Sequence, residues 1–217
     1  MIKMNLIDDN SKVLIYSDYQ NLMNLAEAIV NVSEIKEQNQ IVKYGAVASE
    51  FMSMCKDVIE AINGEKEVID LPTNSPYCGH SKTDRFYGYQ ISLTNLIFNF
   101  KIIDNLIDIY KQSFKGKQYI SGALISPKAV YNQDVLTLRT FQLAFTNCIK
   151  EFLSPTTFAI WYKIISNPSV DMSACPKEYI NHLNEQLLNI SSKEDRIKKL
   201  NSLTRDICNH EDAIEYN

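Results

Sequence analysis

Near the carboxyl end of the sequence, the stretch TRDICNHED (residues 204–212) brings together an arginine, an aspartate and a histidine. Histidine titrates near neutral pH, and arginine presents a fixed fork of N–H donors to phosphate oxygens. Arg205 and His210, with Asp206 beside them, are therefore candidates for proton transfer at a phosphate ester. The alternative is an exposed helix face whose polar side chains form ion pairs of small energy.

A helix predicted over SSKEDRIKKLNSLTRDICNH must position these residues. Ser192 followed by Asp195 resembles a capping box. The apolar stripe that follows has three- and four-residue steps: Ile197, Leu200, Leu203 (or Thr204) and Ile207. Asp206 and His210 share one helix face, but Arg205 and His210 point about 140° apart on an ideal helix. Both reach one small group only if the helix ends or distorts between them, or if a second subunit contributes.

The stretch RDICNH resembles the motif of the HEPN superfamily: arginine, a polar residue, three further residues, histidine. These are all-helical bacterial and archaeal proteins, and many are metal-independent endoribonucleases of toxin and antiphage systems. In that superfamily the motif lies on a late helix, and two copies face each other across a dimer. The resemblance implies an RNA substrate, a homodimer and no cofactor. It also implies that His210 acts as general acid or base on the ribose 2′-hydroxyl, that Arg205 holds the scissile phosphate and that Asp206 orients the pair.

A second hypothesis is a non-catalytic helical subunit of a bacterial complex associated with secretion or defence. The segment LIDIYKQSFKGKQY is similar to the signature of the DotU/TssL proteins of bacterial secretion systems. Glu211 and Asp212, directly after the motif, count against a nuclease because they would repel an RNA backbone. Such a subunit would bind a protein partner through the aromatic residues of the 77–89 loop, unless these pack onto the core. They are Tyr77, Phe86, Tyr87 and Tyr89.

The rest of the sequence predicts an all-α fold, a single bundle of about six to seven helices over residues 1–217. Before the motif helix, apolar residues at helical spacing indicate helices at about 16–32, 40–63, 91–114, 128–153, 156–166 and 177–190. The segment KVLIY, before the first helix, is compatible with a short strand instead. Gly64 and Gly116 are expected to end helices, and the helix at 91–114 is apolar enough to be the centre of the core.

Residues 65–90 form the longest region predicted to be irregular, because they contain two prolines, two glycines and several small polar residues. Such a region is a candidate hinge or functional loop. Cys78 and His80 lie two apart within it. A zinc site needs four ligands, usually as two close pairs. Since the second pair is missing, no metal site is predicted.

Charge and composition exclude several classes of protein. A net charge of -4 argues against binding of long nucleic acids by bulk electrostatics, although a local phosphate site is compatible with it. The sequence contains no run of about 18 apolar residues, so no membrane span is expected. Five widely spaced cysteines do not fit a secreted disulfide framework, and the amino end lacks the pattern of a signal peptide. These features predict a cytoplasmic protein.

Overall fold

Four strands form an antiparallel sheet, which the all-α prediction did not include. The computed structural model describes residues 1–7, 10–35, 38–72, 83–112, 132–168 and 170–210. Within these ranges the strands are β1 (Lys3–Ile7), β2 (Lys12–Ser17), β3 (Glu67–Pro72) and β4 (Thr83–Ser92), in the spatial order β1-β2-β4-β3. The fold is therefore mostly helical rather than purely all-α, and the prediction is wrong in that respect.

Strand β2 attaches the sheet to the core because its side chains alternate between two faces. On the inner face, Ile15 lies between Met4 of β1 and Tyr89 of β4, and all three side chains are buried. This strand includes KVLIY, for which a strand was one of the two sequence-based alternatives. The first helix accordingly begins three residues later than predicted, at Tyr19.

The region 65–90, predicted to be irregular, contains β3 and most of β4. Tyr89 is completely buried in the core, and Phe86 and Tyr87 are partly buried. Tyr89 therefore does not belong to an exposed aromatic surface. Of the residues noted in this region, Tyr77, Cys78 and His80 lie outside the described ranges, and so do Gly116, Glu211 and Asp212 elsewhere in the chain.

The described ranges contain seven α-helices, in agreement with the predicted number. Their bounds are α1 (Tyr19–Ser33), α2 (Gln38–Ile62), α3 (Leu93–Gln112), α4 (Gln133–Phe152), α5 (Pro155–Ile165), α6 (Lys177–Leu188) and α7 (Lys193–Asn209), with a 3-10 turn at Met172–Ala174. The side chains of Asp18, Asn132 and Ser154 accept hydrogen bonds from backbone N–H groups at the starts of α1, α4 and α5. Gly64 follows α2 with φ 77°, as expected of a residue that ends a helix.

Helix α3 lies at the centre of the core, as its wide apolar face predicted. It packs against α1, α2, α4, α6 and α7, and against strands β2 and β4. One hydrophobic cluster extends from the inner face of the sheet through α3 to Trp161 of α5. Helix α7 packs on α3, α5 and α6, so the core fixes the orientation of the helix that carries the sequence motif.

Candidate functional site

Helix α7 begins at a serine cap, as the sequence predicted. The hydroxyl of Ser192 accepts a hydrogen bond from the backbone N–H of Asp195 at 3.3 Å and donates one to the carboxylate of Glu194 at 2.9 Å. The Asp195 carboxylate binds Lys198 at 2.7 Å, so only one half of a capping box is formed. Two acidic residues in the first turn stabilise the helix by interacting with the positive end of its dipole.

The buried face of α7 is fixed by a hydrogen bond between two helices. Trp161 of α5 donates its indole N–H to the hydroxyl of Thr204 at 3.0 Å, and that hydroxyl donates to the carbonyl of Leu200 at 2.8 Å. Leu203 and Thr204 are both buried. The sequence predicted one or the other for the apolar stripe of this helix, and both face the core. This rotation of the helix leaves Arg205 and Asp206 exposed.

Arg205 and Asp206 occupy different parts of the surface of α7. Consecutive helical residues point about 100° apart. Asp206 lines a groove of about 340 Å³ between α6 and α7, together with Lys199 and Gln186. Arg205 makes no hydrogen bond or ion pair within the described part of the chain, so its guanidinium is available to an anionic group.

His210 leaves the helix at its carboxyl end. It has φ 35° and ψ 29°, the left-handed conformation, and its backbone N–H donates to the carbonyl of Asp206 at 2.8 Å. Glycine is the usual residue at such a position, and the left-handed conformation costs another residue about 1–2 kcal/mol. Nδ1 of His210 is enclosed and has no hydrogen-bond partner within the described ranges. The helix thus ends between Arg205 and His210. Such an end was one of the alternatives under which both side chains could reach the same small group.

The three predicted residues come together at one helix end but do not form a preassembled site. The side chains of Arg205 and His210 share no hydrogen bond in the described part of the chain. The remaining helical histidine, His182 of α6, is half-buried, and its Nε2 lies 2.7 Å from the side-chain nitrogen of Gln186. A joint role for the arginine and the histidine would therefore require a substrate or a second subunit that contacts both.

A second polar cluster was not predicted from the sequence. Lys101 of α3 is completely buried, and its ammonium donates to the carbonyls of Ile165 at 3.0 Å and Asn167 at 2.8 Å. It also forms an ion pair with Asp104 at 3.2 Å, and Asp104 is bound in turn by Arg139 of α4. The only sequence signal was a lysine within an otherwise apolar helix face, followed by an aspartate three positions later.

The four cysteines within the described ranges are buried, and no cluster of candidate metal ligands is found there. Cys148, Cys175 and Cys208 are buried free thiols, and burial raises their pKa values to about 11, 12 and 11 respectively. They are therefore protonated at neutral pH, whereas the thiolate is the reactive form. No group of three or more histidine, cysteine, aspartate or glutamate side chains within the described ranges is arranged to hold a metal ion. No helix there is long and apolar enough to cross a lipid bilayer.

Comparison with known proteins adds a family to this description. No curated protein matches the chain, and no solved structure matches it. Arg205, Asp206 and His210 all fall inside the segment that a family model does match, residues 9–217. This match covers nearly the whole chain, which therefore belongs to the family described as "Domain of unknown function (DUF6904)".

Proposed function

We propose that this protein is a metal-independent endoribonuclease of HEPN type, which acts as a dimer through Arg205, Asp206 and His210. The conformation at His210 is the observation that supports this most. A continuous helix would hold the Arg205 and His210 side chains about 140° apart, whereas α7 ends at Asn209 and the next residue is left-handed. A histidine at a position that suits glycine carries a local energetic cost, and a role in chemistry explains it.

The proposed reaction divides the work among the three side chains. His210 removes the proton of a ribose 2′-hydroxyl, and the resulting oxygen attacks the adjacent phosphorus while the bond to the 5′-oxygen breaks. Arg205 binds the non-bridging phosphate oxygens, where negative charge increases in the transition state. Asp206, one helical turn before His210, orients the pair through its carboxylate. The products are a 2′,3′-cyclic phosphate and a free 5′-hydroxyl.

A dimer accounts for the proton that this reaction still needs. The leaving 5′-oxygen must gain a proton, and one histidine cannot serve as base and acid in the same step. His210 of a second copy supplies the acid, and the second Arg205 adds positive charge to a chain with a net charge of -4. Two copies therefore form one composite site.

The first experiment compares the wild type with His210→Ala in bacterial growth and in cleavage of RNA by purified protein in the presence of a chelator. We expect the wild type to stop growth and fragment RNA, and the variant to lose about 100-fold or more of the cleavage rate. His182→Ala is the matched control, because it removes a histidine from α6 and should leave cleavage unchanged. Equal behaviour of the wild type and His210→Ala, with intact RNA, would contradict the proposal.

A mixed-dimer experiment tests whether two copies share the site. Arg205→Ala and His210→Ala chains carrying different tags are co-expressed, and the mixed dimer is isolated through both tags. If one composite site uses both arginines and both histidines, the mixed dimer should retain less activity than the wild type but more than either homodimer. Sedimentation of the wild type as a monomer under assay conditions would count against a shared site.

A second candidate function, a non-catalytic binding subunit, is favoured by the exposed face of α2. Its exposed apolar side chains include Ile41, Met52 and Ile59, which lie within about 20° of one another around the helix. Val42, beside Ile41, is 80% exposed. Apolar side chains grouped on one surface are typical of protein interfaces. If RNA stays intact in the first experiment, Val42→Lys should weaken a complex recovered from the source cells, and Lys56→Gln on the same helix should not.

A further inference from the structure

A cleft between α3, α4 and α5 lies apart from the three residues of the proposed nuclease site. Its volume is about 500 Å³, which is within the usual range of small-molecule sites. The wall is partly apolar, with Phe100, Leu143 and Tyr162, and partly polar, with Arg139 and Gln142. Ligand pockets likewise combine apolar surface with a few polar groups that converge on the ligand.

Buried groups hold the polar wall of the cleft in place. Lys101, completely buried, forms an ion pair with Asp104 and donates to two carbonyls near the end of α5. Gln142 is 5% exposed, and its side-chain amide donates to the carbonyl of Phe100 at 2.8 Å and to the Asp104 carboxylate at 3.1 Å. Asp104 therefore has a fixed position from which it binds Arg139.

The guanidinium of Arg139 is held by one nitrogen only. Nη1 donates to Asp104 and, at 2.6 Å, to the side-chain oxygen of Gln142. Nε and Nη2, which form the other edge of the fork, make no hydrogen bond within the described residues. The side chain is 44% exposed. Two adjacent N–H groups on a fixed plane match the two oxygens of a phosphate or carboxylate.

The local charges favour an anion at this edge. Lys101 and Arg139 contribute two positive charges, and Asp104 contributes one negative charge. The carboxylate of Asp108, which also lines the cleft, has its own counter-ion in Lys111 at 3.8 Å. The cluster thus has one excess positive charge, and its buried part is screened less by salt than a surface pair.

We propose that this cleft binds a small molecule that carries a phosphate or carboxylate group on an apolar or aromatic body. The oxyanion binds Nε and Nη2 of Arg139, and the body packs against Leu143 and the ring of Tyr162. The cleft is larger than an isolated ion, and its apolar wall would contact the apolar or aromatic body of such a molecule. This site does not depend on the ribonuclease proposal, because Arg205, Asp206 and His210 do not line it.

The test is calorimetric titration of the full chain with four probes: phenyl phosphate, benzoate, inorganic phosphate and benzyl alcohol. We expect phenyl phosphate or benzoate to bind with one site per chain and more tightly than inorganic phosphate or benzyl alcohol. The comparison of phenyl phosphate with benzoate identifies which oxyanion the site prefers. Failure of all four probes to bind the wild type at millimolar concentration overturns the proposal.

Three variants and one control test whether binding depends on these side chains. Arg139→Gln should weaken the better probe about tenfold or more, and Arg139→Lys should weaken it less, since it keeps the charge without the fork. Lys150→Gln, on the exposed face of α4, is the matched control and should bind as the wild type does. Tyr162→Ala should weaken phenyl phosphate but not inorganic phosphate.

Folding of the variants is checked by thermal melting before titration. Asp104 keeps Lys101 and Gln142 as partners in Arg139→Gln, so the core should stay folded. If that variant is nevertheless unfolded, Arg139→Lys decides, and an affinity equal to that of the wild type in a folded Arg139→Lys overturns the assignment. His210→Ala should bind the probes unchanged, which separates this site from the proposed nuclease site.

Discussion

His210 combines an unfavourable backbone conformation with the proposed role in catalysis. The residue has φ 35°, and Nδ1 is enclosed without a hydrogen-bond partner in the described part of the chain. Both features lower stability at this position. Thr204, six residues earlier, differs because its buried hydroxyl both accepts and donates a hydrogen bond. Under the proposed function, the protein tolerates this cost because the position gives the imidazole its direction.

Replacement of His210 by glycine tests whether the protein loses stability at this position in exchange for activity. His210→Gly should raise the free energy of unfolding by about 1 kcal/mol, since glycine adopts positive φ without strain. The same variant should lose the proposed RNA cleavage. Chemical denaturation and the cleavage assay measure the two effects separately.

Asn10→Gly is the matched control for the glycine substitution. Asn10, between β1 and β2, also has positive φ, at 65°, which is closer to the left-handed optimum of about 57° than the 35° of His210. This variant should change stability little and should leave cleavage unchanged. A loss of stability in His210→Gly would mean that the histidine side chain stabilises the helix end, which is contrary to our interpretation.

At the scale of elements, the position of α7 depends on its contact with α5. The Trp161–Thr204 hydrogen bond lies in the core and joins residues 43 positions apart. The rings of Phe145 and Phe158 both pack against Trp161, at centroid distances of 5.8 Å and 5.9 Å. Aromatic packing therefore fixes the indole, and its one N–H group orients α7 by donating to Thr204.

Thr204→Val should lower the free energy of unfolding by about 1–3 kcal/mol, because the buried indole N–H loses its acceptor while the side-chain volume stays similar. Urea denaturation followed by tryptophan fluorescence measures this effect directly, since the chain contains one tryptophan. Thr204→Ser keeps the hydroxyl and serves as the control, with a smaller loss that reflects one methyl group. If the valine variant were as stable as the serine variant, the hydrogen bond would not contribute to the docking of α7.

At the scale of the whole molecule, ion pairs connect α2 to the first residue of α6 and to the segment before it. Lys43 of α2 binds Asp171 at 2.6 Å, and Glu50 binds Lys177 at 2.8 Å. Burial alone would raise the pKa of Asp171, but the Lys43 ammonium and the N–H of Ser173 lower it from 3.8 to about 2. The carboxylate is thus ionised in the folded protein at any pH well above 2.

The depressed pKa of Asp171 predicts how stability depends on pH. Because the folded-state pKa lies below the ordinary value of 3.8, the ionised carboxylate stabilises the fold above about pH 4. This contribution is lost as the pH falls from about 4 towards 2. Lys43→Met should reduce the loss of stability over that window, as measured by thermal melting at several pH values. Lys56→Met, which removes an exposed pair with Glu60, should leave the acid dependence close to that of the wild type.

The sequence by itself determined the helices, because the interactions that form them are local. A backbone hydrogen bond in a helix joins residues four apart, and the apolar period of 3.6 is visible over any long window. The central position of α3, the cap at Ser192 and the helix end at Gly64 were predictable for this reason. The motif residues Arg205, Asp206 and His210 were also identified in this way, as side chains near the end of a helix.

Only the tertiary structure decided the sheet, the second polar cluster and the direction of the candidate site. The strand β2 has six residues, which is too short for its alternation to exclude a helix, and its partner β4 lies some 70 residues away in a region that resembles a loop. Arg139 meets Asp104 across 35 positions, a pairing that no local pattern encodes. The left-handed turn at His210 was likewise visible only in the structure, because no glycine marks it in the sequence. Local spacing predicts which residues share a helix, whereas contacts between distant segments determine which of them can act together.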